Sequence, residues 1–129
     1  MAISTRKLID DGEYILIDCH QDADSATPVT IWDVSASTVV TFEILEMWWS
    51  AVGDKWQLLV NNTTDAVLWG FEEDSSGYLN FQGELNHIGR LPGLTQTGHA
   101  TDGDLQIHQL GTFAAGDSLT LRVRCRKLT

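Results

Sequence analysis

Apolar positions along this chain recur with period two far more often than with the period of a helix. The cleanest case is residues 118–128, where Leu119, Leu121, Val123 and Cys125 alternate with Thr120, Arg122, Arg124 and Arg126. That alternation predicts an antiparallel strand with one buried face and one basic face. Residues 13–20 form a short run rich in β-branched and aromatic side chains, a strand by composition. Residues 29–34 alternate again, which sets Val29, Ile31 and Asp33 against Thr30, Trp32 and Val34. The longest apolar stretch is Val39–Trp49. Its Leu45–Trp49 part could be helical, but the β-branched Val39-Val40-Thr41 start argues for one long strand that can bend.

A turn over Val52–Lys55 leads into Trp56–Val60, so this pair reads as a hairpin. A second turn, Asn61–Asp65, leads into Ala66–Phe71, and the three strands together read as a meander. Tyr78–Phe81 and Asp104–Leu110 are further short strands. Between them, residues 83–101 carry Gly83, Gly89, Pro92, Gly93 and Gly98, the signature of a long loop with a covering or contact role. About eight strands separated by regular turn signals predict an all-β fold, an antiparallel, jelly-roll-like β-sandwich. Residues 1–12 read as an N-terminal arm and residues 13–129 as one sandwich domain, with no repeat of fixed period.

Composition narrows the function classes. The chain has 129 residues, enough for one core, and five tryptophans to fill it. Its formal net charge is −10. The basic residues gather at Arg6 and Lys7 and at Arg122, Arg124, Arg126 and Lys127, so the body is acidic. Nucleic-acid and anionic-membrane partners are therefore not expected. No apolar run reaches the roughly 20 residues of a membrane span, and the first eleven residues lack a signal-peptide core. Cys19 and Cys125 are expected to be buried free thiols on neighbouring strands.

Candidate chemistry is sparse. His20, His87, His99 and His108 stand at no zinc-like spacing, and no metal or cofactor is expected. No nucleophile motif or phosphate loop occurs, and Glu43 and Glu46 read as outward-facing strand residues, so the chain reads as non-enzymatic. Asp22, Asp24, Asp54, Asp65, Asp102, Asp104 and Asp117 read as turn formers before Ca²⁺ ligands. Trp48 and Trp49 are adjacent on a strand and must face opposite ways. One can be core while the other faces solvent or a partner.

The order Met47–Gly53, Trp56–Val60, Thr64–Trp69, Ser75–Phe81, the glycine-rich stretch ending Thr97–Asp104, and Ala115–Leu121 before a basic last strand resembles small β-rich virion proteins of tailed phages. T7-like and marine phages carry such proteins, and the match covers roughly residues 39–128. The chain departs from them over Asn86–Gln96. The resemblance implies a virion structural role on the phage head, as a capsid decoration or cement protein binding the major capsid protein. It implies no catalytic residues. A homo-oligomer, with a trimer favoured, suits that role. The candidate capsid or subunit contacts are Ile3, Arg6, Lys7, Trp48, Trp49, His87, Arg90, Leu91 and Leu94. The alternative is a carbohydrate- or host-surface-binding module using exposed tryptophan and loop Asp or Asn.

Overall fold

The computed structural model describes residues 3–25, 27–33, 41–61, 66–80, 91–92 and 104–128. Among these residues run ten strands and no helix. They are β1 (Ile3–Asp10), β2 (Tyr14–Gln21), β3 (Val29–Trp32), β4 (Thr41–Val52), β5 (Trp56–Val60), β6 (Ala66–Phe71), β7 (Ser75–Asn80), β8 (Leu91–Pro92), β9 (Leu105–Gln109) and β10 (Ser118–Leu128). The wider sheet has the order β1-β2-β10-β4-β7, with β8 also on β4, and the narrower sheet the order β3-β9-β5-β6. All pairings are antiparallel.

The wiring follows from one doubled-back ribbon. Folding the chain at the β5–β6 turn pairs β5 with β6, β4 with β7, β3 with β9 and β2 with β10. Rolling that ribbon adds β10 to β4 and β9 to β5. This is a jelly roll of eight strands, to which β1 and the two-residue β8 are added at the margins. Residues 3–10, the greater part of the expected arm, are therefore a strand of the wider sheet.

The two sheets enclose one core. β10 contributes Leu119, Leu121, Val123 and Cys125, and β2 contributes Ile15, Ile17 and Cys19. Trp56 and Leu58 of β5, Phe71 of β6 and Leu105 and Ile107 of β9 close it from the other sheet. Cys19 and Cys125 lie on adjacent strands as free buried thiols. Burial, aided by Asp18 beside it, pushes the Cys19 thiol up to about 12, and burial pushes Cys125 up as well. Neither is a thiolate at neutral pH, so neither is a reactive nucleophile.

Three expectations change. Of the Val39–Trp49 stretch, Thr41–Trp49 is strand, as expected, and Val39 and Val40 lie outside the described residues. The alternation of this strand breaks at Leu45, a bulge lying between Ile44 and Glu46 opposite the consecutive Arg124 and Cys125. The extra residue lets Ile44 and Leu45 both be buried while Glu43 and Glu46 stay on the outer face. A second irregularity between Thr30 and Trp32 breaks strict alternation in β3, and Ile31 and Trp32 are both buried. The expected β4–β5 hairpin and its three-strand meander are not formed, because β4 pairs with β10 and β7 whereas β5 sits in the other sheet. Only β5 and β6 of the three form a hairpin. The Val52–Lys55 segment crosses between sheets. Gly53 has φ +78° there, and a Cβ on it would collide with the Asp117 carboxylate.

That crossing end is closed by a buried polar cluster. Trp56 Nε1 donates to Gln21 Oε1 at 3.1 Å. Gln21 Nε2 donates to the Ala23 carbonyl at 2.9 Å. Gln109 Nε2 donates to Asp54 Oδ2 at 3.0 Å and to the Gly111 carbonyl at 3.1 Å. Asp54 Oδ1 also accepts from the Lys55 amide at 2.7 Å. The cluster ties the segment after β2, the β4–β5 crossing and the segment after β9 to one another. Paired buried groups stabilise little by themselves, but orphaning one costs its desolvation. Gln109→Ala removes the Gln109 donor from the buried Asp54 Oδ2, and urea unfolding is expected to show a loss of about 1–3 kcal/mol. A loss within error would mean that the cluster is solvated.

Candidate functional site

The outer face of the wider sheet is built from rows of side chains in register. One row reads Arg6, Asp18, Arg122, Trp48, Tyr78 across β1, β2, β10, β4 and β7. The row beside it reads Ser4, His20, Thr120, Ser50, Ser76. On β10, β4 and β7 large groups stand in the first row and small hydroxyls in the second. The result is a trough over Thr120, Ser50 and Ser76, walled by Trp48 and by the Asp18–Arg122 pair, with a volume of about 530 Å³.

Each wall has its own cause. Trp48 and Tyr78 are directly opposite on paired strands, and their ring centroids lie 5.0 Å apart with planes inclined by 31°. Cross-strand aromatic pairs of this kind stabilise a sheet and keep both rings at the surface. Trp49 points the other way and packs against Trp69 and Phe71 at centroid distances of 6.5 and 5.5 Å. Gly77 makes room for it, since a Cβ there would lie 2.7 Å from the Trp49 ring. Trp49 Nε1 donates to Ser75 Oγ at 3.3 Å.

At the other end of the trough Arg122 clasps Asp18 with two hydrogen bonds, Nε to Oδ1 at 2.6 Å and Nη2 to Oδ2 at 3.0 Å. Arg6 Nη2 adds a longer one to Oδ2 at 3.3 Å. The Arg122 hydrogen bonds, reinforced by Arg6 and by both positive charges and opposed by partial burial, hold the Asp18 carboxyl below its ordinary 3.8. Arg124 Nη1 donates to Glu46 Oε1 at 3.2 Å, and its guanidinium sits 5.0 Å from the centre of the Tyr14 ring. Arg122, Arg124 and Arg126 thus stand beside Asp18, Glu46 and Glu43, and Arg6 is the surplus cation of this face. Six of the eight lysines and arginines, Arg6, Lys7, Arg122, Arg124, Arg126 and Lys127, are on β1 and β10.

The expected contact residues divide. Arg6 and Trp48 belong to the ladder just described. Ile3 and Lys7 are on β1 with the opposite parity to Arg6. Trp49 is partly buried, packs against the core and also lines the trough. Leu91 is on β8, paired with Ile44. His87, Arg90 and Leu94, like His99, Asp65 and Asp102, lie outside the described residues. Among the described residues no group of three or more His, Cys, Asp or Glu is gathered as for a metal ion, and Asp117 and Asp54 serve turns, Asp117 Oδ2 accepting from the Ala114 amide at 2.8 Å. Asp18, Arg122, Tyr78, Ser50, Ser76 and Thr120 were not foreseen as a group. The alternation of residues 118–128 puts Arg122 outside, but its partner Asp18 is 104 positions away.

Folding lowers the Asp18 pKa, so its stabilisation is complete above the unfolded value near 3.8 and is lost as pH falls through the folded value. Asp18→Asn is expected to lower the urea midpoint modestly at neutral pH, on the scale of a part-exposed ion pair, and the deficit is expected to shrink in acid as pH falls through the folded value. A deficit as large in acid as at neutral pH would mean that shape and not charge holds the two arginines.

No protein-family model matches the sequence, and no curated protein matches it.

Proposed function

We propose that this protein is a non-enzymatic structural component of a tailed-phage particle, a decoration protein that binds the outside of the head through the major capsid protein and does so as a homo-oligomer, three copies being favoured. The observation that carries this reading is β1. It runs eight residues along β2, yet seven of the eight are exposed and the eighth is only partly buried. Leu8 and Ile9 are 37% and 45% exposed, around a bulge between Lys7 and Ile9. The strand ends the wider sheet, and no strand among the described residues pairs its other edge.

An edge of that length with apolar side chains is a template for a further chain. Natural sheets usually shorten, bulge or cover such an edge. β1 has one bulge but runs eight residues, and no strand among the described residues covers it. It also carries Arg6 and Lys7 on an otherwise acidic protein, which suits an acidic shell. A jelly roll is a fold used by capsid proteins and lectins. The fold alone does not fix a function, and the sequence resemblance to phage virion proteins tips it toward the particle. Many symmetry-related copies would let modest contacts hold.

Because β1 contributes no residue to the core, a chain lacking residues 1–9 is expected to keep a cooperative thermal transition. The full chain is expected to co-sediment with undecorated heads, saturating on the order of hundreds of copies. The shortened chain is expected to stay in the supernatant. No saturable binding by the full chain, or equal binding by a folded shortened chain, would overturn the reading.

A further inference from the structure

We infer that the trough between Trp48 and the Asp18–Arg122 pair is a binding site for an anionic, uronic-acid-bearing saccharide. The site lies on the outer face of β2, β10, β4 and β7, and its assignment does not depend on head binding.

Three features of the trough converge. Trp48 lines the trough, and Tyr78 beside it, 48% exposed, continues the aromatic surface at its margin. A pyranose has an apolar face of C–H bonds that such a surface covers, while its rim of hydroxyls needs donors and acceptors. The trough supplies both kinds in its adjacent row. Ser50, Ser76 and Thr120 are hydroxyls that donate or accept, and His20 Nδ1 lies 3.0 Å from Thr120 Oγ1. The planar Asp18–Arg122 pair adds fixed acceptors and donors at the far wall. A site of about 530 Å³ with an apolar wall and a few convergent polar groups is of the size that holds a small ligand.

Charge selects among sugars. Arg6 and Arg122 share the single carboxylate of Asp18. Arg6 keeps 72% of its side chain exposed and gives Asp18 one long hydrogen bond. The row is therefore net positive on a chain of net charge −10. An anion repelled elsewhere is attracted here, and a carboxylate on the sugar pairs with guanidinium in fixed geometry. The same features argue for binding and against hydrolysis. Asp18 is fixed in its ionised form by two arginines, so it is no proton donor at neutral pH. A nucleic acid would also stack on Trp48, but it needs several free cations along a track, and Arg122 and Arg124 are each paired with a carboxylate.

Calorimetric titration of the full chain tests this with four probes: oligogalacturonate, oligomannuronate, maltohexaose and a single-stranded oligothymidylate. At least one uronate is expected to bind, more weakly as salt rises. Trp48→Ala and Arg6→Gln are each expected to weaken it roughly tenfold, the equivalent of one lost stacking or ionic contact. Both residues are outside the core, and a Lys55→Gln variant, remote from the trough, is expected to bind like the parent. Maltohexaose and oligothymidylate are expected to show no heat of binding. Failure of both uronates, or uronate binding untouched by Trp48→Ala, would overturn the inference. Equal binding of maltohexaose would overturn the role of charge, and binding of oligothymidylate alone would make the trough a nucleic-acid site. Head sedimentation of Trp48→Ala separates the two surfaces, since it is expected to bind heads like the parent.

Discussion

β10 lies between β2 and β4 from Leu119 to Arg126, so its alternation sets both faces of the wider sheet at once. Leu119, Leu121, Val123 and Cys125 face the narrower sheet and exclude water from the centre of the roll. Thr120, Arg122, Arg124 and Arg126 then have to face outward, and their neighbours in register have to accommodate three guanidinium groups. Asp18, Glu46 and Glu43 do so from the flanking strands. A slip of one residue would bury the arginines and expose the leucines, which a core of this size could not survive. Register is therefore strongly specified, and every row across the outer face inherits it.

From that constraint the outer face acquires its grain. Rows two residues apart on β10 differ sharply in size, because Thr120 is small and Arg122 is large, and the flanking strands follow suit with Ser50 against Trp48 and Ser76 against Tyr78. The trough is this size difference repeated over three strands. It needs no loop to shape it. Its floor and walls are side chains of hydrogen-bonded strands, which are more rigid than loop residues, and Trp49 and Gly77 brace the underside where Trp48 and Tyr78 emerge.

Much of this fold is legible in the sequence, and what is not has a physical reason. Period two in residues 118–128 identifies β10 with its boundaries, and the opposite orientation of Trp48 and Trp49 follows from parity alone. Neither the bulge at Leu45 nor the double burial of Ile31 and Trp32 is visible that way, since an apolar run reads the same whether it alternates or bulges. The Val52–Lys55 turn looks like a hairpin because short turns between strands usually are. That it crosses instead is decided by pairings made far away, of β4 with β10 and of β5 with β9. The outer ladder is harder still. Arg6, Asp18, Arg122, Trp48 and Tyr78 are neighbours only once five strands have been registered, and no local pattern carries that. Arg6 stands out in the sequence for its charge near one end and Trp48 only as one of two adjacent tryptophans that face opposite ways, yet nothing in the sequence says that Arg6 and Trp48 share a row.

β1 is where the two surfaces of this protein meet. Its Arg6 reaches over to Asp18 in the trough, while Ile3, Thr5 and Lys7 face the other side and no strand among the described residues pairs its outer backbone edge. Asp18 balances Arg6 and Arg122 together, so any partner that draws β1 away from β2 leaves Asp18 to Arg122 alone and makes that pair neutral. The positive surplus that would hold an anion in the trough depends on β1 staying in place. A partner that pairs with that outer edge and extends the sheet would have the opposite effect, holding Arg6 over Asp18 and keeping the trough charged. Docking by edge addition and ligand binding in the trough are thus compatible on geometry, because one uses the backbone of β1 and the other a side chain from its outer face.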